Sequence, residues 1–182
     1  MSLTLRLATP EDLPALRDLM NAAIGELLNP FLSLAEVTAS YEVMGLDSQL
    51  VADGTYFVVE DDGALAGCGG WSRRATLFGG DHSAGRDAAL LDPARDAARV
   101  RAMYTHPDHV RKGVGRLILD ACESAAAGEG FTRCEMAATL AGEPLYQACG
   151  YRQIERFTAA TSNGVDVPLV RMGKSLPPAG PP

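Results

Sequence analysis

The sequence predicts one α/β domain with a mixed central sheet of about six to seven strands flanked by helices. Three observations carry that prediction. The chain has 182 residues, a length that fits a single domain able to bury most of its apolar surface. Segments alternating at the period of a strand are interleaved with segments whose apolar residues recur at helical spacing. The apolar fraction of 47% and the charged fraction of 21% are those of a globular chain, not of a disordered or fibrous one.

The first unit is a strand followed by a helix. Leu3-Thr4-Leu5-Arg6-Leu7 alternates apolar and polar, and Thr9-Pro10-Glu11-Asp12 supplies a helix start with acids in the first turn. The helix then carries Leu13, Leu16, Leu19, Met20 and Ala23 on one face. Asn29-Pro30 breaks the pattern before a second, weaker helix over Leu34 to Met44. Tyr56 to Glu60, the turn Asp61-Asp62-Gly63 and Ala64 to Trp71 read as a β-hairpin, because aromatic and β-branched runs flank an Asp-Gly signal.

From Arg73 to Arg95 no period holds, and a connection of that length suggests a functional loop on the substrate side. Ala98 to Thr105 is the next strand, ended by His106-Pro107-Asp108. A glycine-bearing turn leads into a helix with Val114, Leu117, Ile118, Ala121, Cys122 and Ala125 toward the sheet and Arg116, Asp120 and Glu123 outward, stopped at Gly128 to Gly130. Thr132 to Ala137 is a short strand and Glu143 to Ala148 a short helix closed by Gly150. Two final strands begin at Tyr151 and span Val165 to Met172. The domain is expected over residues 1–174, with 175–182 a proline-rich disordered tail.

Composition narrows the function. A net charge of -7 repels phosphate backbones, so nucleic acid is not an expected partner and any anion site must be local. The cysteines Cys68, Cys122, Cys134 and Cys149 lack zinc-like spacing and read as small core residues. No charged leader precedes an apolar stretch, and no apolar run is long enough for a bilayer, so the expectation is a cytoplasmic protein without a membrane partner. His106 and His109 flank a Pro-Asp turn with no third ligand in view, and no metal is expected.

One segment concentrates positive potential. A strand, a turn holding Gly113 and Gly115, and a helix present free backbone N–H groups and the positive end of a helix dipole at one point. The glycines leave the main chain open to a ligand, and Arg111, Lys112 and Arg116 add charged donors. A plain turn with solvated bases fits the same residues. A Rossmann fingerprint does not, because Ile118 stands where its third glycine would be, and the chain holds no Gly-Lys-Ser or Gly-Lys-Thr of a P-loop.

Met103 to Arg116, with Gly113 and Gly115, resembles the acetyl-CoA motif of the GNAT acetyltransferase family. Leu145-Tyr146-Gln147-Ala148-Cys149-Gly150-Tyr151 resembles that family's C-terminal motif, and the order of elements from Leu3 to Lys174 is similar too. Two positions depart from it: Val110 replaces an arginine or glutamine, and Thr139 stands where many relatives have a cofactor-contacting asparagine.

The resemblance implies an acetyl-CoA-dependent N-acetyltransferase that moves an acetyl group to a primary amine of a small molecule or peptide. A silent acyl-CoA-binding module is the alternative, and pairing of two copies is compatible with either. The cofactor residues it implies are Met103, Tyr104, Thr105, Arg111, Lys112, Gly113, Val114, Gly115, Arg116, Thr139 and Tyr146. The pantetheine arm would lie like an extra strand along Met103 to Thr105, whose backbone N–H groups are placed to polarise the thioester. Tyr146 matches the family tyrosine that protonates the leaving thiolate; packing of a helix on the sheet would use the same residue. The base stays open among Glu26, Glu42, Glu60, Glu135, His82 and His106. Trp71 with Arg73 and Arg74 would line an acceptor pocket or pack on the sheet edge.

Overall fold

A computed structural model of the chain describes residues 2–180. Its elements are β1 (Leu3–Leu7), α1 (Leu13–Leu27), α2 (Leu34–Val43), α3 (Ser48–Ala52), β2 (Tyr56–Asp61), β3 (Ala64–Ser72), β4 (Ala98–Thr105), α4 (Val114–Gly128), β5 (Arg133–Thr139), α5 (Glu143–Ala148), β6 (Arg152–Ala159) and β7 (Val167–Ser175). The seven strands form one sheet in the order β1-β2-β3-β4-β5-β7-β6. All neighbours are antiparallel except β4 and β5, so the sheet is mixed. No helix among the described residues is long and apolar enough to cross a membrane.

The β2–β3 hairpin turns at Asp62 (φ 50°) and Gly63 (φ 85°), with Asp61 already paired to Ala64. Two consecutive positive φ angles are what a tight hairpin turn needs, which is why the Asp-Gly signal was readable. One short helix has no counterpart in the sequence reading: α3 is five residues long and is started by Asp47, whose carboxylate accepts the Gln49 N–H. Too short for a periodic stripe, it leaves no pattern to detect.

Helix α4 buries Val114, Ile118, Leu119, Cys122 and Ala126 against the sheet. It lies close because β3 is glycine-rich: a Cβ on Gly67 would come within 2.4 Å of Val114 Cγ1, and one on Gly69 within 2.9 Å of Ile118 Cγ2. Glu123 does not face water as expected. Its side chain is only 12% exposed and accepts from Lys174 Nζ at 2.8 Å, linking α4 to β7.

The opposite face of the sheet is covered by α1 and α2. Leu16, Leu19 and Met20 pack with Tyr56, Val58 and Cys68, while Ala39 and Val43 pack with Val167 and Leu169. Helix α2 begins at Ser33, which forms reciprocal hydrogen bonds with Glu36. At the C-terminal end, β7 includes Ser175, and Leu176 is buried with its N–H donating to Thr132 O. The ordered chain thus runs past residue 174; Pro181 and Pro182, part of the expected tail, lie outside the described residues.

Candidate active site

Strands β4 and β5 begin side by side and then separate. They pair at Ala98–Cys134 and Arg99–Glu135, while β4 stays on β3 as far as Thr105 and β5 stays on β7 as far as Thr139. From Val100 to Thr105 the side of β4 that faces β5 therefore carries no sheet ladder among the described residues. The opening is a cavity of about 110 Å³.

A bulge in β4 accompanies this separation. Gly70 pairs with Arg101 but Cys68 pairs with Tyr104, so β4 carries one residue more than β3 across that step. Ala102 takes up the excess with φ 49°, an uncommon conformation for a residue with a Cβ. Its carbonyl accepts a 2.6 Å hydrogen bond from the Tyr56 hydroxyl, and Tyr56 is 1% exposed. Beyond the bulge, Met103 packs toward α4 beside Ile118, whereas Tyr104 points to the other face, where its hydroxyl accepts the Gly45 N–H at 2.9 Å.

The turn after β4 leaves an open helix end. Pro107–His109 forms a single 3₁₀ turn, with His106 Nδ1 accepting the Asp108 N–H. Arg111 (φ 62°) and Gly113 (φ 86°) then swing the chain into α4 through two left-handed positions. Leu117 N–H is the first α4 amide bonded back, to Gly113 O; the N–H groups of Val114, Gly115 and Arg116 have no acceptor among the described residues. Nothing lies within 4 Å of where a Gly113 Cβ would sit, so the space above this helix end is open. Arg111, Lys112 and Arg116 are exposed around it, and Val110, 41% exposed, supplies no charge.

Gly115 ties this helix end to the cleft. A Cβ there would meet Leu145 Cδ2 at 2.7 Å and would stand 4.0 Å from Thr105 Oγ1, so the helix end, the end of β4 and α5 converge at one residue. The next residue of α5, Tyr146, is 7% exposed, with its ring edge-on to Tyr151 at 6.0 Å. Gly142 makes room for it: a Cβ on Gly142 would lie 3.0 Å from Tyr146 Cε2. The Tyr146 hydroxyl has no hydrogen-bond partner among the described residues, and burial pushes its ionisation well above the usual phenol range. It is a protonated donor on the cleft wall. Thr139 also lines the cleft, with Oγ1 accepting the Gly142 N–H at 3.0 Å and its own proton left to give.

Met103, Tyr104, Thr139 and Tyr146 thus line one cleft, and Thr105 and Gly115 approach one another beside Leu145. The base candidates do not join them. Glu42 accepts from Ser162, Glu60 from Arg6, and Glu135 from Arg99 and Arg171; His82 Nε2 is engaged with Tyr41 O. None of these, nor Glu26 or His106, lines the cavity. Trp71, Arg73 and Arg74 are likewise elsewhere: Trp71 is 2% exposed and packs on Phe131, Arg73 lies over its ring and binds Glu129, and Arg74 binds Asp53. The long loop does reach the site, but only through Leu77, Phe78 and Gly79. Val43, Met44, Gly45 and Leu169 complete the far wall, and no local pattern in the sequence marks them as site residues.

The residues present fit a long thioester ligand with a diphosphate: an unpaired strand edge, an open helix end with three free amides, and a phenol on the cleft wall. No curated protein matches the sequence. Solved structures do match its fold. A GCN5-related N-acetyltransferase from Rhodopseudomonas palustris is similar with a TM-score of 0.71 and 22% identity over 97% of both chains. The PaiA N-acetyltransferase of Thermoplasma acidophilum, solved in complex with coenzyme A, is similar with a TM-score of 0.64 and 14% identity over 96% of this chain and 99% of that one. YncA of Salmonella typhimurium, solved with its cofactor acetyl-CoA, gives 0.64 and 19% over 100% and 98%. These likenesses establish the fold. The family follows from the sequence itself, because the acetyltransferase (GNAT) domain profile matches residues 52–153, which span the hairpin, the bulged strand, the glycine turn and the Tyr146 helix. With that match and the separated β4–β5 pair, the chain belongs to the GNAT acetyltransferase family.

Proposed function

We propose that this protein is an acetyl-CoA-dependent N-acetyltransferase that serves a primary amine of a small molecule or peptide by direct attack on the thioester. The observation that carries the reading is the unladdered edge of β4 lying between an open, glycine-started helix and the unpartnered Tyr146 hydroxyl. Acetyl-CoA supplies the activated acetyl group when bound. Every other part falls to residues of the chain.

The N–H groups of residues 111–116, with the Arg111, Lys112 and Arg116 side chains, hold the diphosphate at the positive end of α4. Met103, Tyr104 and Thr105 offer backbone groups to the pantetheine amides as a neighbouring strand would. An N–H of that segment donates to the thioester oxygen as charge builds there, and a positioned donor of this sort is commonly worth about 3–4 kcal/mol. Tyr146 gives its proton to the departing sulfur, a transfer that suits a phenol kept protonated by burial. Thr139 donates from the opposite wall. With no carboxylate or imidazole among the described residues lining the cavity, the ammonium of the acceptor loses its proton to water at the cleft mouth.

The free state of all four cysteines agrees with a cytoplasmic setting, and the exposed edge strand β6 offers a face for pairing two copies; both belong to this proposal. A pure acyl-CoA-binding module would use the same cradle, but nothing in binding calls for a free phenol beside the sulfur. The test is to supply acetyl-CoA with polyamines, amino acids, aminoglycosides and peptides and to measure acetylated product by mass. Product from at least one amine is the expected result. Tight binding of acetyl-CoA with no product from any amine establishes the binding module instead.

A further inference from the structure

On the side of the sheet away from α4, the cleft continues into a group of charges. Leu169 and Ala137 line the cleft from β7 and β5, and Arg101 lines it from β4. Two positions along each strand, on the same face, stand Arg171, Glu135 and Arg99. A two-residue step along a strand is about 7 Å, so these three residues stand one such step beyond the residues that line the cavity. Both arginines converge on one oxygen: Arg99 Nη1 lies 3.1 Å and Arg171 Nε 3.0 Å from Glu135 Oε2. Arg99 Nη2 and Arg171 Nη1 have no partner among the described residues, and Arg171 is 32% exposed. Asp96 offsets Arg99 from the loop side, its carboxylate accepting the Asp92 N–H, and Glu135 pairs most closely with Arg171, so what the cluster offers is free guanidinium N–H donors.

The cavity wall between this cluster and Tyr146 reinforces the sign. Among the described residues its single charged lining residue is Arg101, 3% exposed, which shares Asp47 with Arg86. No acidic residue among those described lines the cavity, in a protein whose net charge is -7. A second ammonium on the acceptor would meet guanidinium groups here, and a carboxylate would meet free, planar donors.

We propose that the acceptor is an amine that also carries a carboxylate, which Arg171 and Arg99 hold while Met44, Phe78 and Leu169 cover the carbon chain between the two groups. This rests on the acetyl-transfer reading above. It excludes polyamines and aminoglycosides as good substrates, and it makes Arg171 a specificity residue that touches the acceptor and not the thioester.

The experiment uses the whole chain, acetyl-CoA and acceptors in matched pairs: leucine against leucinamide, 4-aminobutyrate against 4-aminobutanamide, and alanyl-glutamate amide against alanyl-glutamine amide. Putrescine serves as the cationic member. The expected result is a kcat/KM at least about tenfold higher for the carboxylate in one or more pairs, the factor of a charge-assisted pair. The pair that responds tells an α-amino acid, an ω-amino acid and an acidic peptide apart. Arg171→Gln is expected to bring that ratio to about one while leaving acetyl-CoA affinity unchanged, and Arg171→Lys to retain part of it. Preference for the amides or for putrescine overturns the inference alone, as does an unchanged ratio in both variants. Product from none of these amines, nor from the broader panel, overturns the acetyl-transfer reading and this inference with it.

Discussion

Removing one oxygen atom from Tyr146 separates chemistry from packing. In Tyr146→Phe the ring keeps its edge-on contact with Tyr151 and its place over Gly142, and no hydrogen bond is lost because the hydroxyl has no partner among the described residues. An unpaired polar group in a site 7% exposed is itself unfavourable, so thermal stability should stay level or rise by a degree or two. Acetyl-CoA affinity, read by calorimetry, should stay within about twofold, since cradle and strand edge are untouched. Turnover should fall by about 10²–10⁴, the range for loss of a positioned general acid, which is about 3–5 kcal/mol of barrier. Steady-state kinetics at saturating acetyl-CoA is the assay, with acetylated product measured by mass. A kcat within about threefold of the parent would refute the acid role, and a rise in Kd matching the fall in kcat would make Tyr146 a binding residue.

Other expectations follow from the same geometry. Tyr56→Phe removes the donor to the Ala102 carbonyl in a fully buried setting, which should cost about 1–3 kcal/mol in urea denaturation and weaken acetyl-CoA binding as the bulge relaxes; unchanged stability would show that the bulge does not depend on this bond. Gly113→Val places a β-branched residue at φ 86°, and acetyl-CoA Kd should rise at least about tenfold. Gly164→Val is the control, because Gly164 also has positive φ (78°) and open space beyond it, yet lies in the β6–β7 turn; equal effects of the two on Kd would count against the cradle. Burial raises the ionisation of Tyr56, Tyr104, Tyr146 and Tyr151, and pushes the Cys68 and Cys134 thiols up to about 12. The unfolded chain therefore releases these protons first, so stability is whole at pH 8 and falls as pH rises through about 9 for the thiols and 10 for the phenols. Urea denaturation at pH 8 and pH 10.5 checks this, and equal stabilities would contradict it.

What the sequence announced and what it concealed divide along a physical line. Local signals were legible: Asp62-Gly63 marks the hairpin turn, the apolar spacing of α4 marks its sheet-facing side, and Gly113 marks the turn into that helix, where the structure adds its positive φ. These depend on neighbours a few residues apart. The cleft does not. The separation of β4 from β5, the Tyr56–Ala102 bond across 46 positions and the convergence of Arg99 and Arg171 on Glu135 arise from strands distant in the chain. Ala102 gives no sign of its positive φ, since alanine carries no bias toward that region. The choice left open for Trp71, Arg73 and Arg74, pocket lining or packing, needed the fold for the same reason: each is engaged by a partner distant in the chain, Phe131, Glu129 and Asp53.

A crystal structure grown with coenzyme A would show directly where the cofactor lies. The diphosphate is expected against the N–H groups of residues 111–116, the pantetheine amides paired with Met103 to Thr105 and the sulfur within hydrogen-bonding reach of the Tyr146 hydroxyl. Coenzyme A bound elsewhere on the protein, or a β4–β5 gap closed by the chain's own side chains while the ligand is absent from it, would rule out this mode of binding.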